Sequence, residues 1–221
     1  MPEIQVCSPF EEIALAQLPE AVVNPFHPPP PGSDDPHQGV DFAERRPGDQ
    51  VALEGLPVHA VLSGQAASVI VDRFPYGNAL LVETSLDNLP VTWQAQLQLP
   101  TPGPTLELRS ALTCPPGSMP SGESEGRSLY LLYAHMKEPV ELQPGREVAC
   151  GENIGAIGSS GNALNPHLHL EVRVGPSGAG FSGMAHYDSS ASPEEMANYC
   201  TWRVSGIFQL IDPLRLLLPV P

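Results

Sequence analysis

Positively charged side chains are scarce in this sequence. It contains ten Lys and Arg residues against 25 Asp and Glu residues, which gives a formal net charge of −15. Such a chain repels the phosphates of nucleic acids, and no basic patch in the sequence offsets that repulsion. We therefore expect no nucleic-acid partner.

Long apolar runs are also missing. No run approaches the roughly 18 residues that suggest a membrane span, and no basic segment followed by an apolar core, as in a signal peptide, opens the chain. A length of 221 residues with 41% hydrophobic side chains is typical of a globular domain with a sizeable core. We expect one domain over residues 1–221, a monomer, with neither a membrane span nor a signal peptide in this chain.

The four cysteines lack the short spacing of metal-binding or redox-active pairs. They are Cys7, Cys114, Cys150 and Cys200, and the missing C-x-x-C motif excludes zinc ribbons and thioredoxin-type sites. An even number of widely separated cysteines is typical of one or two disulfides in an exported protein. Four buried free thiols are the alternative. Three pairings are possible, and the sequence leaves all of them open.

Helical patterns are few, whereas proline is abundant at 27 residues. Short apolar runs between Gly, Pro and Asn residues are typical of antiparallel strands. They predict strands over residues 55–61, 67–73, 79–83, 129–136 and 148–157. Helices are predicted only at residues 9–18 and at 193–199, where Ser192 is the N-cap. We predict an all-β fold, either an antiparallel two-layer sandwich or a partly open barrel, with a short helix near the C-terminus.

Residues 85–128 interrupt this succession of strands. Residues 91–99 and 106–112 alternate enough to form a hairpin, and residues 114–126 are rich in Pro, Gly and Ser. We interpret 85–128 as an inserted hairpin and loop at the rim of the domain, where loops commonly shape substrate access. Around a core of about residues 35–174 we expect an N-terminal arm, 1–34, that packs over the domain. We also expect a C-terminal extension, 175–221, that is peripheral to the site.

The sequence PHLHLE at residues 166–171 has the alternation of a β-strand. Successive side chains of a strand point to opposite faces, so His167 and His169 share one face while Leu168 and Leu170 face the core. Neutral imidazole is the commonest metal ligand and the usual general base near neutral pH. Glu171 follows, either as a partner of these histidines or as a solvated residue at the strand end.

Two further segments carry a histidine in a suggestive setting. In HQGVD, His37 and Asp41 are four residues apart and fall on one face of an extended strand, and Gly39 between them permits close approach of another group. A loop histidine beside a turn-stabilising aspartate is the alternative. In YAHM, His135 ends an apolar strand. By contrast, His59 is interpreted as structural, and His27 and His186 have no motif around them.

Together, HQGVD, YAHM and PHLHLE resemble the motifs of the lysostaphin/LytM-type zinc endopeptidases, which cleave cross-bridge or stem peptides of bacterial peptidoglycan. The family motifs H-x-G-x-D, Y-A-H-[LM] and H-L-H-x-E occur here in the same order. The segments PVHAVLSG and YGNALLV and the Gly-rich stretch 145–162 match as well. The resemblance covers roughly residues 35–174.

Position by position, the resemblance implies that His37, Asp41 and His169 bind Zn²⁺, whereas His135 and His167 are the catalytic pair. Two histidines and one carboxylate suit a catalytic zinc, which keeps one position open for water or substrate. Zinc makes a usable hydroxide available near neutral pH. His167 would carry the proton to the leaving amine, and His135 would assist it or stabilise the oxyanion.

The resemblance also places Tyr76 and Asn78, in the Y-G-N turn, near the substrate groove, although a plain tight turn explains them equally. We expect a zinc endopeptidase acting on peptidoglycan peptides outside the cytoplasm. Three alternatives are a catalytically silent LytM-like regulator or wall-binding module, a zinc peptidase for Gly-rich or D-amino-acid peptides, and purely structural histidines.

Overall fold

The computed structural model describes residues 5–30, 32–43, 54–97, 99, 112–115 and 126–218. Ten strands are present in these ranges. They are β1 (Val22–Asn24), β2 (Val40–Phe42), β3 (Pro57–His59), β4 (Gly64–Arg73), β5 (Gly77–Ser85), β6 (Arg127–Met136), β7 (Glu147–Val148), β8 (Asn153–Ala156), β9 (Leu168–Pro176) and β10 (Gln209–Ile211). Four short helices accompany them, namely α1 (Leu18–Ala21), α2 (Val91–Gln96), α3 (Pro193–Arg203) and α4 (Pro213–Leu217).

Eight of the strands form one antiparallel sheet in the order β1-β2-β9-β6-β5-β4-β7, with β10 also paired to β9. β9 is central, because β6 lies along one side while β2 and β10 share the other side end to end. β3 and β8 form a separate antiparallel pair. This mostly antiparallel architecture confirms the predicted all-β fold.

The alternation of side chains along β9 gives the sheet two different faces. Leu168, Leu170 and Val172 join the larger hydrophobic cluster on one face. His169, Glu171 and Arg173 alternate with them, although all three are buried. Helix α3 contributes Trp202, which lies over Arg173 and packs in the second hydrophobic cluster. The polar side chains of β9 are therefore covered by the C-terminal extension.

Two predictions of secondary structure were wrong. Residues 91–99 were expected to be a strand, but Val91–Gln96 form helix α2. Trp93 and the C-cap residue Leu97 pack on the core at a helical spacing of four. The proposed partner strand at 106–112 lies largely outside the described residues. The helix expected at 9–18 is replaced by a 3-10 turn at Leu15–Gln17, and α1 begins only at Leu18, with Pro19 in its first turn. The helix predicted at 193–199 is confirmed and runs on to Arg203, with Ser192 as N-cap.

All four cysteines are disulfide-bonded, which selects one of the three possible pairings. Cys7 pairs with Cys150, and Cys114 pairs with Cys200, with Cα–Cα distances of 5.7 and 6.0 Å. The first bond ties the N-terminal arm to the segment between β7 and β8. The second ties the inserted segment to α3. The division of the chain into core, arm, insertion and extension stays a prediction.

Within the described ranges, no helix is long and apolar enough to cross a membrane.

Replacing Leu131 by Ala should lower the free energy of unfolding by about 2–5 kcal/mol, because the side chain is fully buried in the larger cluster and its loss leaves a cavity. Leu164→Ala is the matched control, since Leu164 is 99% exposed and should change stability by less than about 0.5 kcal/mol. Urea unfolding of both variants measures the difference. Equal losses would show that the core does not lie where the sheet places it.

Candidate metal centre and active site

The pairing of three strands brings the histidine motifs together. Asp41 of β2 lies directly opposite His169 of β9, and Ala134 of β6 lies opposite His169 from the other side. The residue after Ala134 is His135. HQGVD, YAHM and PHLHLE therefore meet around one residue of the central strand.

The three predicted metal ligands converge closely. His169 Nδ1 lies 2.7 Å from Asp41 Oδ1, His37 Nε2 lies 2.9 Å from the same oxygen, and the two nitrogens are 3.0 Å apart. Among the described residues, His37, Asp41 and His169 form the one group of His, Cys, Asp or Glu side chains whose ligand atoms are this well gathered. Asn24 Nδ2 donates to the other oxygen, Oδ2, of Asp41 at 3.0 Å.

The outer nitrogens of both histidine ligands already have acceptors. His37 Nδ1 lies 3.0 Å from the carbonyl oxygen of Pro25, and His169 Nε2 lies 3.1 Å from Glu171 Oε1. A carbonyl or carboxylate oxygen can only accept, so these nitrogens carry the protons. When both rings are neutral, their inner nitrogens turn their lone pairs toward Asp41. Two lone pairs and a carboxylate oxygen gathered within 3.0 Å suit a small divalent cation, and N₂O donors are a ligand set used for zinc.

In the metal-free cluster, the negative charge of Asp41 and the positive charge of His169 stabilise each other. Burial alone would raise the pKa of Asp41, but the hydrogen bonds with His169 and His37 outweigh it and hold that pKa well below its usual range. Burial alone would lower the pKa of His169, but the hydrogen bonds to Asp41 and Glu171 outweigh it and raise the pKa to about 9. Without a metal ion, the proton on His169 takes the place of the cation.

The two predicted catalytic histidines stand beside this cluster. His167 Nδ1 lies 2.7 Å from the carbonyl oxygen of Asn165, and His135 Nδ1 lies 2.8 Å from that of Ser160. Both rings therefore carry the proton on Nδ1 and leave the Nε2 lone pair free. His167 Nε2 is 3.6 Å from Asp41 Oδ1, and the rings of His135 and His167 are 4.7 Å apart.

An irregularity in β6 aims His135 at the site. Tyr133 and Met136 pack in the same hydrophobic cluster although they are three residues apart, so one extra residue is accommodated between them. That residue is His135, whose φ of 62° is rare outside glycine. Its ring comes to lie 5.7 Å from that of His169. Burial, reinforced by His169 and His167, lowers the pKa of His135 to about 3, so the ring is neutral at neutral pH.

Glu171 is a buried partner of His169 and not a solvated strand end. Its carboxylate is fully buried and accepts hydrogen bonds from His169, Tyr76, Arg173, Trp202 and Arg203. Burial alone would raise its pKa, but the charges of Arg173 and Arg203 hold that pKa well below its ordinary value. Trp202 and Arg203 belong to the extension that the sequence analysis expected to be peripheral, and that expectation was wrong. No short motif marks these two residues.

The two predicted substrate contacts differ in position. Tyr76 lines a cavity of about 270 Å³ together with the five histidine and aspartate residues of the site. The Asn78 side chain instead accepts a hydrogen bond from the Asp72 N–H and donates one to the Met136 carbonyl. These contacts favour the alternative interpretation of Asn78 as part of a plain tight turn. Pro75, Asn162, Asn24 and Arg203 complete the cavity lining. His27, His59 and His186 do not line it.

The family model described as Peptidase family M23 matches residues 123–180. These residues include His135, His167 and His169. The chain carries a peptidase family M23 segment. The resemblance stated from the motifs is thereby confirmed at the level of the family. His37 and Asp41 lie outside the matched residues. The pairing of β2 with β9 places Asp41 opposite His169, and His37 lies three residues before β2.

Several solved structures are similar to the chain at low identity. The catalytic domain of the antimicrobial peptidase lysostaphin from Staphylococcus simulans is 20% identical, with 93% of this chain and 98% of that domain covered and a TM-score of 0.46. The catalytic domain of the prophage-encoded M23 protein EnpA from Enterococcus faecalis is 20% identical, with 73% and 87% covered and a TM-score of 0.41. A zinc-containing peptidase from Vibrio cholerae is 22% identical, with 68% and 32% covered and a TM-score of 0.37.

The chain spans 48% of the full lysostaphin chain. A search of curated proteins gave no significant match.

Replacing Gly39 by Ala should destabilise the metal-free protein by about 1–3 kcal/mol, because the added Cβ would lie 2.6 Å from the Leu170 carbonyl oxygen and 2.8 Å from the His169 ring. Gly183→Ala is the control, since its Cβ would meet only side-chain atoms of Glu195, at 3.0 Å or more, and no backbone atom. Urea unfolding compares the two. An equal or larger loss for Gly183→Ala would contradict the tight approach of Gly39 to β9.

Proposed function

We propose that this protein is a zinc-dependent endopeptidase that hydrolyses peptide bonds of bacterial peptidoglycan outside the cytoplasm. The observation that carries the proposal is the cluster of His37, Asp41 and His169 with two further imidazoles beside it. In this proposal, His37 Nε2, an Asp41 oxygen and His169 Nδ1 hold the zinc. The family M23 segment and the order of the three motifs support the assignment.

A bound zinc ion would supply Lewis acidity, which polarises a peptide carbonyl and activates water near neutral pH. The protein's own part is to move protons. His167 offers a free Nε2 lone pair next to the metal ligands, so it accepts a proton from the attacking water and returns it to the leaving amine. The hydrogen bond from Nδ1 to Asn165 keeps the ring in the required tautomer while it does so.

His135 plays a supporting part in this scheme. Its ring is neutral and its Nδ1 proton is donated to Ser160, so Nε2 first acts as an acceptor. That state favours assistance in proton transfer over stabilisation of an oxyanion, because an oxyanion needs a donor. The strained backbone of His135 supports a functional role as well, since such strain is concentrated at functional sites.

Peptidoglycan is proposed as the substrate from the motif resemblance and the family. Two disulfides are typical of proteins that work in an oxidising compartment, which supports an extracytoplasmic location. A silent regulator or wall-binding module would keep the fold without needing all five site residues, and all five are present here. A zinc peptidase for Gly-rich or D-amino-acid peptides would use the same centre on another substrate.

Metal analysis and digestion of peptidoglycan test the proposal together. The purified protein should contain one zinc per chain and release peptide fragments from at least one wall type, as detected by mass spectrometry of the digests. Removing zinc with a chelator should abolish release, and adding zinc back should restore it. Stoichiometric zinc without fragments from any wall type would refute the hydrolase proposal, whereas cleavage confined to free Gly-rich or D-amino-acid peptides would favour the other substrate class.

Alanine variants of His169 in β9 and of His167, the residue just before β9, test the division of roles. His169→Ala removes a metal ligand, so zinc should be lost together with activity. His167→Ala should keep zinc near one per chain while lowering kcat by about 10²–10⁴-fold, the usual contribution of a positioned acid or base. If His167→Ala loses zinc as completely as His169→Ala, the assignment of His167 to proton transfer is wrong.

A further inference from the structure

The carboxylate of Glu171 is held at both oxygens, and each oxygen has a partner from α3. Arg203 Nη1 lies 2.5 Å from Oε1, the oxygen that also accepts from His169 Nε2 at 3.1 Å. Trp202 Nε1 lies 2.9 Å from Oε2, to which Arg173 also donates at 2.9 Å. The orientation of the carboxylate toward His169 therefore depends on two side chains of the C-terminal extension.

We propose that Trp202 and Arg203 are positioning residues for His169, which they orient through Glu171 so that Nδ1 is held toward Asp41 and a metal ion. The inference rests on the proposed function for the role of the metal. A carboxylate that accepts the outer N–H of a ligating histidine fixes the tautomer and orientation of the ring. Here the residues that fix this carboxylate come from the extension and not from the strand that carries the ligand.

Arg203 also reaches the segment that leads to the other histidine ligand. Its Nη2 donates to the carbonyl oxygen of Asp34 at 2.8 Å, three residues before His37. Tyr187 and Tyr199, also from the extension, donate to Asp34 Oδ2 at 2.7 and 3.2 Å. One largely buried guanidinium thus connects the supports of both histidines, and losing it should loosen both sides of the centre.

Helix α3 is anchored by contacts that do not involve Glu171. Ser192 and Glu195 form a reciprocal cap at its N-terminus, Arg73 Nε pairs with Glu195 Oε1 at 2.5 Å, and Cys200 is bonded to Cys114. The Trp202 ring packs against Phe208 at 5.2 Å and Phe181 at 6.1 Å. Because these anchors are separate, the helix can be weakened without changing the contacts to Glu171, which provides a matched control.

Zinc affinity of the full chain, measured by competition with a chromogenic chelator, tests the proposal. Arg203→Met and Trp202→Phe each remove a donor to Glu171 and should raise the Kd for zinc by about 10- to 100-fold. Arg203→Lys keeps the charge without the planar fork and should recover part of the loss. The control Arg73→Met breaks the ion pair to Glu195 on the same helix and should change the Kd by less than about threefold. Thermal unfolding identifies variants that lose the fold.

The proposal is overturned if folded Arg203→Met and Trp202→Phe bind zinc as tightly as the wild type, or if Arg73→Met weakens binding as much as they do. Should Arg203→Met fail to fold, Trp202→Phe, which keeps an aromatic ring in place, decides alone. The result is independent of hydrolysis: a wild type that binds zinc but cleaves nothing refutes the proposed function and leaves the affinity comparison intact. A wild type that binds no zinc overturns both.

Discussion

The contact between Asp41 and His169 across β2 and β9 is the interaction on which the arrangement of the site depends. These residues are register partners, so the backbone hydrogen bonds of the sheet fix their separation before any side-chain contact forms. His37 then reaches the same carboxylate oxygen from the segment ahead of β2. A shift of one residue in this register would turn His169 to the apolar face and bury Leu168 or Leu170 among charged groups. Packing of the apolar face therefore also fixes the polar one.

The cost of burying this polar face explains why so much of the chain surrounds it. A buried carboxylate without partners is strongly unfavourable, and Glu171 is balanced by two guanidinium groups and three further donors. Arg173, two residues along β9, supplies one of these groups, and α3 supplies the other. The acidic chain, with 10 Lys and Arg residues, thus places two of its few arginines on one buried carboxylate.

The sequence predicted the part of the site that follows from strand alternation. His167 and His169 on one face, with Leu168 and Leu170 on the other, need only a period of two. The approach of His135 could not be derived in this way, because a strand irregularity with positive φ aims it, and only the motif resemblance pointed to it. The helix at residue 91 was missed because alternation and an i, i+4 pattern both fit a short segment. Trp202 and Arg203 were missed because tertiary packing brings them to Glu171.

The position of β9 has a consequence for local stability. The His169 amide belongs to a strand paired on both sides, and such strands open to amide hydrogen exchange only when much of the domain unfolds. His37 precedes β2, a strand of three residues that lies one strand from the edge of the sheet. The two histidines therefore belong to regions that differ in the free energy of local opening. Fraying at the β1–β2 edge would release His37 while His169 stayed fixed, so exchange of a bound ion would begin on the side of His37.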